Sequence, residues 1–347
     1  MISLIIDELV NTKLFEVIVK EFFLEYGMFA LKTGTIVIAL VIIVVAIISS
    51  VTRSRETRKD HLEIRKLNEQ YRDTERVLKE SMLSKGDIKQ LEKSIKKAQK
   101  KEEKEGSQAE KRVFVINFEG DIKASAVSSL REEITAILMV ATEKDEVFVK
   151  VHSGGGAVHT YGLAASQLSR IKDKGIPLVI SVDKIAASGG YMMACVADKI
   201  IAAPFAVLGS IGVVAQIPNF NRLLKKHDID YEMMTAGEYK RTLTVFGENT
   251  DKARAKFQEE IEDIHVLFKE FVKTNRDVVD IEAVGTGEFW FGKRALEHKL
   301  IDELKTSDDY LFEQSKSADI FEISYREHKD MRKRIGQFVQ SLVEGRF

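Results

Sequence analysis

Ser188 stands in the run Ala187-Ser188-Gly189-Gly190-Tyr191, after a β-type stretch, Leu178 to Val182, and before a helix-like segment, Tyr191 to Val196. A serine at a tight strand-to-helix turn, with small neighbours, has an exposed oxygen. That is the setting a nucleophile needs. Gly189, next in the chain, leaves its own N–H free to bond a developing oxyanion. Downstream lies Lys240, in Glu-Tyr-Lys-Arg-Thr-Leu-Thr. A lysine can take a serine's proton only where desolvation keeps its amine neutral. The chemistry of such a pair would be attack on a carbonyl carbon. By itself an Ala-Ser-Gly run is commonly a plain turn, and Lys240 by itself reads as an exposed loop cation.

A second run of small residues, Ser153-Gly154-Gly155-Gly156, has three readings. It could cradle phosphate, but no Lys-Ser/Thr follows it and dinucleotide glycine spacing is missing. It could be a tight turn. It could offer backbone N–H groups to a carbonyl oxygen under attack, a reading that the turn at Ser188 strengthens. His152 and His159 flank this loop, and His227, His265 and His298 lie downstream in helical contexts. None has an orienting carboxylate at recognisable spacing, so they read as surface or loop histidines. With no His-Glu-x-x-His and no cysteine cluster, neither metal nor cofactor is expected. Cys195 is the single cysteine, which excludes an intrachain disulfide, and its apolar surroundings predict a buried thiol.

The elements around these residues alternate. Val113 to Phe118 and Glu146 to Val151 read as strands, with a helix over Ser125 to Ala141 between them. A helix follows over Thr160 to Lys174, closed by Gly175 and Pro177, then the strand before Ser188 and a further strand over Lys199 to Ala203. Such alternation predicts a parallel α/β sheet, with chemistry beyond the carboxyl ends of its strands. Both glycine loops fall at such ends. Further on, the pattern predicts a short helix at Asn219 to Lys226, a short strand at Asp230 to Met234, a long amphipathic helix over Asp251 to Asp277 and a helical segment from Ala295 to Leu300. The apolar face of the long helix is Phe257, Ile261, Ile264, Leu267, Phe268 and Phe271.

Upstream, residues 1–32 carry apolar residues at three- and four-residue steps, as in an interfacial amphipathic segment. Residues 33–52 hold no charge, and their apolar centre, Ile36 to Ile48, is long enough for a transmembrane helix. Arg53, Arg55, Arg58 and Lys59 follow, which favours a cytoplasmic side for what comes after. Residues 53–111 are dominated by Arg, Lys, Glu and Gln and read as a charged helical linker. Its basic run, Lys93 to Lys104, lacks interleaved aromatics, so a solvated spacer fits it better than nucleic-acid binding, and near a membrane it could also touch anionic lipid. Residues 112–306 form the expected catalytic domain, and 307–347 a tail with no readable chemistry. Lys+Arg (53) nearly balance Asp+Glu (54), so no global charge draws the chain to nucleic acid.

Taken together, Ser153-Gly154-Gly155-Gly156, Ala187-Ser188-Gly189-Gly190-Tyr191, Gly209-Ser210-Ile211-Gly212 and Tyr239-Lys240, in that order, resemble the signal peptide peptidase A family of serine peptidases, peptidase family S49. Within it the chain is most similar to the inner-membrane, SohB-type branch of Gram-negative bacteria. The resemblance runs from about Glu25 to about Asp309 and includes the membrane span. It implies a ClpP/crotonase-like fold and a Ser-Lys dyad. By position, Ser188 is the implied nucleophile, Lys240 the general base and Ser210 the serine that orients the lysine. The implied oxyanion donors are the N–H groups of Gly189 and of Gly155 or Gly156. Gly154 stands where the family usually has proline. Phe291-Gly292-Lys293-Arg294-Ala295-Leu296 with Leu300-Ile301-Asp302 resembles the family's C-terminal segment, with Lys299 where a helix-ending glycine is usual.

The resemblance further implies a homo-oligomer, with the helix at 251–277 a candidate for packing between subunits. Substrates would be peptides or unfolded segments near the inner membrane. It also implies a domain on the outer side, against the charge pattern after the span. Two alternatives stay open: a crotonase-type acyl-CoA enzyme on the same fold, and a silent membrane scaffold.

Overall fold

The protein is described by a computed structural model. Its described residues are most of 24–45, 61–83, the single positions 86 and 93, and 111–326. The expectations for residues 1–23, for 46–60 and for most of 84–110 lie outside them. The chain divides into two units, 1–60 with 328–347, and 61–327.

In the first unit, the window Tyr26–Ile43 is a helix with a mean hydropathy of 1.9 and no buried residues, long and apolar enough to cross a membrane. Thr33 and Thr35 turn their hydroxyls back onto the carbonyls of Phe29 (2.9 Å) and Leu31 (2.8 Å). Both side-chain donors are thus satisfied within the helix itself.

The second unit is a mixed α/β domain. In chain order its elements are β1 (His61–Lys66), α1 (Leu67–Met82), β2 (Arg112–Gly120), α2 (Val127–Leu138), β3 (Glu146–Ser153), α3 (Val158–Lys172), β4 (Leu178–Val182), β5 (Ile185–Ala187), α4 (Gly189–Ala194), β6 (Lys199–Ala202) and β7 (Val207–Gly209). They continue with α5 (Asn221–Lys226), α6 (Asp251–Asn275), α7 (Ile281–Val284), β8 (Phe289–Phe291), α8 (Gly292–Glu297), β9 (Glu303–Leu304), α9 (Ser307–Gln314) and β10 (Asp319–Arg326). The strands form one ten-stranded sheet in the order β1-β10-β2-β3-β4-β6-β9, with β5 branching from β3 to β7 and β7 to β8. Pairing is parallel except for β1 with β10 and β7 with β8.

The central strands are apolar on both faces because both faces are covered. Phe114, Ile116 and Phe118 of β2, with Val147, Val149 and Val151 of β3, belong to the larger core. There they join Leu130, Ile134 and Ile137 of α2 and Ala164, Leu168 and Ile171 of α3. The intervening residues Val113, Val115, Phe148 and Val179 belong to a second cluster with Leu67, Tyr310 and Leu311, from α1 and α9. A one-residue slip of register would exchange these two sets, so the alternation pins the pairing.

Three segments differ from the sequence-based expectation. The charged linker expected over 53–111 contains, at 61–66, an edge strand bonded to β10, and Leu67 and Asn68 of α1 are buried. The tail expected from 307 contains α9 and β10, and β10 lies between β1 and β2. Ile320 and Ile323 bury into the domain, which overrides the polar character around them. Residues 230–234, expected as a strand, carry no regular structure, because no neighbouring strand offers them a ladder. Within residues 111–326 the remaining predicted elements occur within a few residues of their expected ends. The apolar window Tyr26–Ile43 begins ahead of the expected span of 33–52, whose last residues lie outside the described ones.

Candidate active site

Three chain turns gather at the carboxyl ends of β3, β5 and β7. Ser153, the last residue of β3, is in register with Ala186 of β5, and Ala187 is in register with Gly209 of β7. The loop 154–156, Ser188 and the turn 209–212 are therefore neighbours because the sheet makes them so.

Ser188 is half-buried, at the N-cap of α4, with φ 52° and ψ −120°. An L-residue seldom adopts this backbone, which costs of order 1–3 kcal/mol. Two bonds hold it: the Ser188 N–H donates to the Gly209 carbonyl at 2.8 Å, and the Met192 N–H donates to the Ser188 carbonyl at 2.9 Å. Gly189, as the first residue of α4, has an N–H outside the helix's own ladder.

Gly155 has φ +89° and lies against this turn. A Cβ there would stand 2.7 Å from the Gly189 nitrogen and 2.8 Å from the Ala187 carbonyl oxygen. Only glycine fits. The Gly155 N–H donates inward to Ser153 Oγ at 3.1 Å. Among the described residues the Gly156 N–H has no acceptor, while the next one, of Ala157, is bonded to the Ile122 carbonyl at 2.9 Å.

Ser210 also has a positive φ, 53°, and its N–H donates to the Glu288 carbonyl at 2.7 Å. The following carbonyl, of Ile211, lies 3.1 Å from His265 Nε2 on α6. A carbonyl only accepts, so Nε2 carries the proton. His265 was expected to be a surface or loop residue. It is instead the tie between the long helix and the 209–212 turn, and no sequence spacing could show it. His152 also has a partner, Glu119, with Nδ1 and Oε2 2.8 Å apart across β2 and β3.

Lys240 is exposed, on a stretch without regular structure. Its side chain makes no hydrogen bond or ion pair among the described residues, to Ser188 and Ser210 in particular. The structure thus brings together Ser188, Ser210, Gly155, Gly156 and Gly189, while the amine at 240 stays in solvent within one chain. The stretch from 213 to 250 folds mainly on itself. The Phe246 ring lies tilted against those of Phe220 and Tyr231, and the Asn219 amide donates to the carbonyls of Thr244 and Gly247. Its Val214, Tyr231, Met234 and Tyr239 remain exposed.

Behind the site, Tyr191 donates to the Leu300 carbonyl at 3.0 Å, and the buried Arg276 pairs with Asp302 at 2.8 Å. Burial pushes the Cys195 thiol up to about 12, an inert core thiol as its apolar surroundings predict. Among the described residues no group of His, Cys, Asp and Glu is arranged to hold a metal ion.

Two family descriptions match the chain: "Peptidase family S49 N-terminal" over residues 21–168 and "Peptidase family S49" over residues 170–320. The chain is 50% identical over 323 residues to "Probable protease SohB" of Haemophilus influenzae, which covers 90% of this chain and 91% of the relative. It is also 50% identical over 302 residues to the protein of the same name from Buchnera aphidicola subsp. Schlechtendalia chinensis, covering 84% of this chain and 99% of that one. Among solved structures it is similar to the 1510-N membrane-bound stomatin-specific protease at 14% identity, over 59% of this chain and 85% of that one, with a TM-score of 0.40. On its sequence relatives and family matches, the chain belongs to peptidase family S49.

Proposed function

We propose that this peptidase is a membrane-anchored serine endopeptidase that cleaves peptides or unfolded segments, signal-peptide remnants among them, at the inner membrane. Ser188 is the nucleophile, Lys240 the general base and Ser210 the residue that orients the lysine. The domain takes the ClpP/crotonase-like form that its motifs resemble. The observation that carries the reading is the backbone of Ser188: a strained serine at a helix N-terminus with a glycine loop pressed against it.

In the reaction Ser188 Oγ attacks the scissile carbonyl carbon as its proton passes to the Lys240 amine. The carbonyl oxygen becomes an oxyanion, held by the N–H groups of Gly189 and Gly156; each such donor is worth about 100- to 1000-fold in rate. Collapse expels the leaving amine, which takes the proton from Lys240. Water then attacks the acyl-enzyme along the same path in reverse and frees Ser188.

A lysine serves as general base only in a dry setting, and Lys240 is exposed in a single copy, so this reading requires it to be covered. The exposed apolar side chains of 213–250, Val214 and Met234 foremost, support a homo-oligomer in which a neighbouring copy covers this stretch and dries the amine. The apolar helix at 26–43 supports a single-pass anchor in contact with membrane lipid.

The test is peptide hydrolysis by Ser188→Ala and Lys240→Ala, with oligomer size followed in parallel. Both should abolish turnover with size unchanged. Near-full activity in either variant would remove that residue from the mechanism.

A further inference from the structure

Behind the glycine loop lies a buried chain of polar groups. Tyr161, on α3, is fully buried, and Ser153 is 1% exposed. Tyr161 Oη lies 2.7 Å from the Asp121 carbonyl oxygen and 2.5 Å from Ser153 Oγ. A carbonyl oxygen can only accept, so the phenol's one proton goes to Asp121. Ser153 Oγ also lies 3.5 Å from the Gly120 carbonyl oxygen, but Tyr161 Oη, at 2.5 Å, is much the nearer acceptor once its own proton is on Asp121, so Ser153 donates to Tyr161 Oη and accepts the Gly155 N–H at 3.1 Å. The order of donation that these distances favour is Gly155 N–H to Ser153, Ser153 to Tyr161, Tyr161 to Asp121. Successive hydrogen bonds of this kind polarise and stiffen one another. Burial holds the phenol above its ordinary range, so it stays a donor, although the Ser153 bond opposes this.

The ring of Tyr161 does a second thing. A Cβ on Gly189 would stand 2.4 Å from Tyr161 Cγ and 2.8 Å from its Cβ. The ring is thus the floor on which Gly189 rests. One side chain touches Gly189 through its ring and reaches Gly155 through its hydroxyl and Ser153. Gly189 carries one half of the proposed oxyanion hole, and Gly155 immediately precedes Gly156, which carries the other; the two halves come from separate turns of the chain.

We infer that Tyr161 and Ser153 are positioning residues that fix the spacing between the two oxyanion donors. They touch neither substrate nor Ser188 Oγ; they act by holding the Gly155 amide inward, which sets the adjacent peptide that carries the Gly156 N–H. The inference rests on the serine-peptidase reading above and deepens it.

The experiment uses the full chain in detergent, with a peptide substrate and a peptide aldehyde that forms a tetrahedral adduct with an active-site serine. Tyr161→Phe keeps the ring under Gly189 and removes only the hydroxyl. Ser153→Ala removes the middle link and serves should the first variant fail to fold. Misplacing a donor by a fraction of an ångström to about 1 Å costs about 10- to 100-fold. Each variant should lose about that much kcat, with KM within about twofold and aldehyde affinity falling in step with kcat. The double variant should be no worse than the weaker single, since both break one chain. Folded variants with kcat and aldehyde affinity within about twofold of wild type, or losses that multiply in the double variant, would overturn the inference. Hydrolysis that survives Ser188→Ala would overturn the serine reading itself and this inference with it.

Discussion

Gly155 presses against Ser188 so closely that a Cβ on one would stand 2.8 Å from the Cβ of the other. Its neighbour Gly154 has open space, with nothing nearer a Cβ than Ile185 Cδ1 at 3.8 Å. Two adjacent glycines thus face opposite demands. Gly155→Ala should push the loop off the Ser188 turn and lower kcat about 100-fold or more, as loss of an oxyanion donor does. Gly154→Ala should stay within about threefold of wild type. Steady-state peptide hydrolysis by the two purified variants checks this.

His265 ties α6 to the Ile211 carbonyl beside Ser210. His265→Ala removes that donor and should lower kcat about 3- to 10-fold by loosening the turn, with about 1 kcal/mol lost in stability. His265→Gln, which can offer an N–H at a similar reach, should recover most of the rate. The comparison is made by kinetics at a temperature well below both melting points.

Glu133, on α2, is 6% exposed, and its Oε1 accepts the Tyr325 N–H at 2.8 Å. Burial raises this carboxyl from 4.5 to about 7, and the Tyr325 N–H only partly opposes the rise. A carboxyl that is harder to ionise when folded favours the folded state fully below about 4.5. That advantage is lost as pH rises through about 7 and amounts to on the order of 3 kcal/mol. Glu133→Gln should therefore be the more stable protein at pH 8, with the difference gone near pH 4.5. Asp145 has the opposite sign. Burial opposes its ionisation, but bonds from Arg112 and Thr142 outweigh that and hold it at about 2. Its contribution is present above about 4 and lost as pH falls toward 2. Melting temperatures across pH 3 to 9 for wild type and Glu133→Gln test the first of these directly.

The sequence carried the sheet well where apolar runs were continuous. Val113 to Phe118, Glu146 to Val151 and Leu178 to Val182 read as strands because both of their faces are buried. It carried β1 and β10 poorly. His61–Lys66 alternates charge with isolated Leu62 and Ile64, and only its pairing partner, far along the chain, makes it a strand. The motif serines and glycines were legible as motifs, and the register at Ser153 and Ala186 explains why two distant loops meet. Tyr161 was hidden as one apolar position on a helix face that runs on through Ala164, Ala165 and Leu168. The available signal was its hydroxyl, a polar atom on a face otherwise without one. His265 gave no signal at all, because its partner is a backbone carbonyl. The expectation for Lys240 met a chain that leaves this residue in water; a dry amine there needs a surface that a single copy does not supply.

A fluorophosphonate reacts only with a serine whose hydroxyl is activated, which makes it the most direct probe of the proposed dyad. The full chain is labelled in its membrane, digested and mapped by mass. The account predicts one adduct, on Ser188, that disappears in Lys240→Ala. An adduct on another serine, or labelling of Ser188 that is undiminished without the lysine, would contradict it.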